Sequence, residues 1–121
     1  MSQASPADAT GSLLEQRLVA IERELTEAAG GASLCAISRS AGSVPAAKYL
    51  EGRMAAIREL RRALAAGRSF AEVVDERRDA WRSAFEQAVE RSMGPDWHAY
   101  RAGGVDELDS LAAAASTDPK V

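Results

Sequence analysis

Leu14, Leu18, Ile21, Leu25 and Ala28 follow one another at alternating steps of four and three residues. That spacing puts all five on one stripe of an α-helix, whereas a strand needs alternation by two. The stripe recurs further along. Leu50, Ile57 and Leu64 repeat every seven residues, with Met54 and Leu60 broadening the face. Val74, Trp81, Phe85, Ala88 and Ser92 form a third line, flanked by Phe70, Val73, Val89 and Met93. Three helices that each need a covered face predict an all-α fold, a small antiparallel helical bundle with short connections. Composition agrees with it. Ala and Leu supply most of the 46% apolar content, and aromatic residues are only 5%, so the side chains that favour strands are scarce.

Local punctuation sets the expected boundaries. Residues 1–11 are small, polar and proline-containing, which predicts a disordered tail. Ser12 and Glu15 have capping-box spacing at the head of the first helix, and Gly30-Gly31 ends it near Ala29. Gly42, Ser43 and Pro45 open a second helix over about 44–66, closed by Gly67. Residues 32–43, with Leu34 and Ile37 as apolar anchors, read equally as an extra turn or a packed loop. Ser69 and Glu72 cap the third helix, and Gly94-Pro95 stops it. "DWHAYRA" then predicts one short turn. Gly103-Gly104 separates it from a last helix over about 105–115, which buries Val105, Leu108 and Leu111. The expected architecture is three main helices with a short C-terminal helical appendage, in one domain over 12–115, followed by a flexible tail, 116–121.

One glycine resists that scheme. Gly52 stands inside the second helix, where it costs up to about 1 kcal/mol relative to alanine. Gly52, Ala56 and Ala63 lie close to one helical face, and Ala55 widens it. Such a face admits another backbone, from the same chain or from a second copy. A ligand against the bare backbone is the less favoured reading.

Charge is distributed unevenly although the net is -3. Residues 1–37 hold two arginines against five acids, and residues 69–121 hold six basic against eleven acidic residues. Between them, residues 38–68 carry seven basic residues and two acids. Helices with complementary charged rims are the simplest outcome, each exposed pair contributing at most about 1 kcal/mol. The basic segment also supports a nucleic-acid reading, with Arg39, Arg53, Arg58, Arg61, Arg62 and Arg68 as candidate phosphate contacts. "SRSAGS" lacks the spacing of a phosphate-binding loop, so a nucleotide site there is weakly supported.

Residues that carry chemistry are few. Cys35 is the only cysteine, which excludes an internal disulfide and fits a small buried side chain better than a nucleophile. His98 is the only histidine, and no pair of ligands has zinc-site spacing, so no metal or cofactor is expected. No nucleophile, base and oxyanion donor converge, and catalysis is not expected. Trp97, His98 and Tyr100 read as a hydrophobic anchor. The N-terminus does not resemble a secretory signal, and no apolar run is long enough to cross a bilayer. These features predict a small cytosolic interaction or regulatory module that works by protein–protein association, with itself as the leading partner. Leu14, Leu18, Ile21, Leu25, Gly52, Ala56, Ala63, Trp97 and Tyr100 are the candidate interaction residues. A nucleic-acid-binding regulator using the arginine-bearing second helix is the alternative.

Overall fold

A computed structural model describes residues 6–29 and 45–116, which form four helices: α1 (Pro6–Ala29), α2 (Pro45–Ala65), α3 (Phe70–Glu90) and α4 (Pro95–Ser116). Three of them begin on a proline. At the first helical position the missing N–H has no intrahelical partner to lose, and the fixed φ is already helical. No strand occurs among the described residues. Cys35, Arg39 and the open question over 32–43 lie outside them.

The ends of α2 and α3 follow two different routes to the same motif. After α2, Gly67 adopts φ 91°, its N–H reaches Leu64 O at 2.9 Å, and Arg68 N–H reaches Ala63 O at 3.1 Å. This pair of bonds covers the last carbonyls of the helix, with glycine in the left-handed position as expected. After α3 the same pair runs from Ser92 N–H to Val89 O and from Met93 N–H to Ala88 O. Here Ser92 takes the left-handed conformation, φ 52°, so α3 stops four residues before Gly94. Ser69 caps its start, accepting the Glu72 N–H at 3.3 Å.

Two expectations are corrected. Helix α1 begins at Pro6, so Ser12 is an interior residue and residues 6–11 belong to the helix. Proline at the first helical position suits this earlier start. The second correction is larger. α4 is one continuous helix of 22 residues that passes through Gly103-Gly104. Far from being a loosely docked appendage, it packs against both α2 and α3, and its contact with α2 is the most extensive in the fold.

The glycines explain why. A Cβ on Gly103 would lie 2.9 Å from the Tyr49 carbonyl carbon and closer still to its oxygen. A Cβ on Gly52 would meet the Tyr100 carbonyl in the same way, 2.8 Å from its carbon. At Gly104 a Cβ would stand 2.6 Å from Trp81 Cδ2. α2 and α4 therefore cross backbone to backbone, each presenting a glycine to the other's tyrosine carbonyl. The spacing Tyr-x-x-Gly occurs on both helices, as Tyr49 to Gly52 and Tyr100 to Gly103. Glycine's cost within a helix is offset by the close approach that it alone permits.

Around this crossing lies the core. Leu14, Leu18 and Ile21 of α1 pack with Met54, Ala56, Ile57 and Leu60 of α2, Val73, Val74 and Trp81 of α3, and Leu108 and Leu111 of α4. Each fully buried leucine or isoleucine contributes about 1.5–3 kcal/mol. Leu25 and Ala63 lie partly buried against the cluster. The seam of α1 and the small-residue strip of α2 are thus covered within a single chain.

Candidate functional site

Two groups of polar side chains flank the α2–α4 crossing. On one side Glu107 of α4 is 1% exposed. It accepts a hydrogen bond from Arg17 Nε of α1 and another from Arg53 Nε of α2, the latter at 2.8 Å. Arg17 also donates to Ser110 Oγ at 3.1 Å, and Arg53 to Glu24 Oε2 at 3.1 Å. Burial alone would push the Glu107 carboxyl up, but the bonds and charges of the two arginines outweigh it and hold it below its ordinary value. Burial likewise works against the Arg53 charge, and Glu107 reverses the balance. Nearby, Tyr49 donates to Asp106 Oδ2 at 2.6 Å. Burial, with the Asp106 hydrogen bond and charge, pushes its phenol up to about 12. This group ties three helices together. It is a structural lock.

The other side is aromatic. Trp81 and Tyr100 have ring centroids 5.4 Å apart, and Trp97 meets Tyr100 edge-on at 6.1 Å. The guanidinium of Arg101 sits 5.0 Å from the Trp81 ring, 5.4 Å from Tyr100 and 6.0 Å from Trp97. Trp81 is buried and its indole N–H donates to Glu59 at 3.1 Å, where Arg77 also binds. Trp97, by contrast, is 49% exposed. With Tyr49, whose carbonyl faces Gly103, every tryptophan and tyrosine of the chain lies at this crossing. Lys48, Asp96, Trp97, Tyr100 and Arg101 line a cleft of about 440 Å³. Asp96 Oδ1 is buried and accepts no hydrogen bond among the described residues.

The residues singled out in the sequence are dispersed. Leu14, Leu18, Ile21, Gly52 and Ala56 are core, so they offer no surface to a second copy. Trp97 and Tyr100 do come together, at the cleft. Of the arginines, Arg53 is held by Glu107, and Arg68 makes a two-pronged contact with Glu76 at 3.1 and 2.7 Å. Arg61 lies 3.4 Å from Glu15. Arg58 and Arg62 are exposed, one turn apart, with no ion pair among the described residues, and with Arg61 they border a shallow depression of about 370 Å³. His98 Nε2 lies 3.0 Å from Ala88 O, which ties α4 to the end of α3. That is a structural partner rather than a catalytic one.

Glu107, Arg17, Arg101, Lys48 and Asp96 carried no signal in a single sequence, because each looks like ordinary helix-surface charge. The repeated Tyr-x-x-Gly spacing was the clue available, since it marks where two helices meet. Among the described residues no group of three or more His, Cys, Asp or Glu side chains could hold a metal ion. No described helix is long and apolar enough to cross a membrane. Family models, curated proteins and solved structures were all compared with this chain, and none matches it.

Proposed function

We propose that this chain is a cytosolic helical interaction module that works by protein–protein association, and that its docking surface is the corner where α3 passes into α4. One observation carries the reading. Among the described residues four large apolar side chains are exposed, and three of them, Val89, Met93 and Trp97, stand at that corner at successive steps of four. Elsewhere the helix faces are laced with ion pairs, such as Arg78 and Arg82 with Asp109 at 2.9 and 3.2 Å. An exposed tryptophan flanked by methionine and valine is the kind of anchor that supplies most of the energy of a small interface. A second copy is the first partner to test, because a patch of this kind is complementary to itself across a two-fold axis.

Sedimentation velocity over a rising concentration series tests it. The wild-type mass is expected to grow with concentration, and Trp97→Ser with Met93→Ser is expected to hold the chain monomeric without loss of helix. A wild-type chain that stays monomeric into the high micromolar range sinks self-association at this corner.

A second reading, nucleic-acid binding through α2, is favoured by Arg58 and Arg62, which have no carboxylate partner among the described residues and lie beside Arg61. Arg53 and Arg68 are already engaged by carboxylates, which reduces the footprint. Binding that falls steeply with salt, and falls further in Arg58→Ala with Arg62→Ala, is its signature. Absence of any DNA or RNA shift at low salt ends it.

A further inference from the structure

We infer that the cleft between Lys48 of α2 and the first turns of α4 binds a small aromatic anion, with Arg101 as the group that holds its charge. The cleft shares Trp97 with the proposed docking corner, so binding is measured on the monomeric chain, where its failure is distinguishable from a failure to associate. Among the described residues five arginines are partly buried: Arg17, Arg53, Arg77, Arg78 and Arg101. Four of them have a carboxylate, namely Glu107, Glu107, Glu59 and Asp109. Arg101 has none among these residues; three aromatic rings surround its guanidinium instead. Rings compensate a cation through their faces, and they leave the N–H edge of the guanidinium without an acceptor. That edge matches a carboxylate or phosphate in a two-pronged fit.

The surroundings narrow the ligand further. Lys48 lines the same cleft, so the wall carries two cations against the one carboxylate of Asp96. Among the described residues Lys48 pairs with Glu51, a surface pair one helical turn away at 3.1 Å, and such a pair is weak. The cleft, at about 440 Å³, is far larger than a bare anion needs and falls in the range of small-molecule sites. Its most exposed wall is the Trp97 ring, a flat surface suited to stacking. Asp96 lines the cleft as its one carboxylate and offers an acceptor to a ring N–H. The chemistry that satisfies all of these at once is an aromatic ring bearing an N–H donor and an anionic group, whether carboxylate or phosphate.

Isothermal titration calorimetry on dilute wild-type protein tests this with four probes. Indole-3-acetate and adenosine monophosphate carry the ring with a carboxylate or a phosphate; acetate and inorganic phosphate carry the anion alone. At least one ring-bearing anion is expected to bind tenfold or more tightly than its ringless counterpart, and the stronger of the two identifies the anion. Arg101→Gln is expected to weaken that binding at least tenfold and Lys48→Gln several-fold, whereas Arg23→Gln, exposed on α1, leaves it unchanged. Should Arg101→Gln fail to fold, Trp97→Leu takes its place, with the advantage of the ring over the bare anion expected to disappear. Failure of both ring-bearing probes at millimolar concentration overturns the inference. So does binding that survives in the folded Arg101 variant, or in the Trp97 variant used in its place, or that falls equally in Arg23→Gln.

Discussion

Arg53 on α2 and Arg101 on α4 leave their helices on opposite flanks of one crossing, and they are satisfied in opposite ways. Arg53 meets a carboxylate, Glu107, which is itself buried and shared with Arg17. Among the described residues Arg101 meets only rings. The first arrangement closes its electrostatics inside the protein and leaves nothing for a ligand. The second compensates burial through polarisable faces while the charge itself stays available. A buried pair is a costly way to gain stability, because desolvation consumes much of the attraction. Its effect is to fix which helices meet. A ring-backed arginine contributes less to holding the fold and more to what the surface can recognise.

The comparison breaks most severely if the crossing itself is opened. Gly103→Ala drives a methyl group into the Tyr49 carbonyl and should cost about 3 kcal/mol or more, or abolish cooperative folding; urea unfolding measures it. An unchanged midpoint would mean that the helices do not touch there. Next comes the lock. Glu107→Gln leaves Arg17 and Arg53 without their shared carboxylate, and should cost roughly 2–4 kcal/mol. Arg101→Gln loses only the ring contacts, about 1 kcal/mol, and the gap between these two losses sharpens the contrast directly. Equal losses would remove it.

Titration perturbs the Glu107 side more gently. The Glu107 carboxyl is held below its unfolded value, so its contribution is fully present above that value. It is lost as pH falls through the depressed folded value. Acid unfolding of the wild type should therefore be steeper than that of Glu107→Gln. Tyr49 moves the other way, from 10.0 to about 12. Its contribution is present below pH 10 and lost as pH rises towards 12, so Tyr49→Phe should flatten the alkaline limb of a stability profile.

Helix formation was legible from periodicity because an amphipathic stripe is a local property. Gly67 was read correctly as an end, and Ser69 as a cap, from the same kind of local chemistry. Gly103-Gly104 misled for an instructive reason. Glycine ends a helix when its left-handed conformation is used, as at Gly67, and serves a helix when its missing side chain is used, as at Gly103. Sequence alone does not distinguish the two uses. Gly52 was recognised as a close-approach position, but which backbone approaches it is a tertiary fact, the Tyr100 carbonyl of α4. Ser92 shows the complementary case: the left-handed residue after α3 is not a glycine at all.

By itself, then, the sequence determined that this chain is helical, roughly where its helices lie, and that α2 carries a face narrow enough for a neighbour. Those properties depend on residues a few positions apart. Only the tertiary structure decided that α4 runs unbroken across α2, that Glu107 is locked by Arg17 and Arg53, and that Arg101 stands among Trp81, Trp97 and Tyr100. Burial and pairing between residues fifty or ninety positions apart are set by how helices cross, and the crossing depends on backbone contacts that no single stretch of sequence encodes.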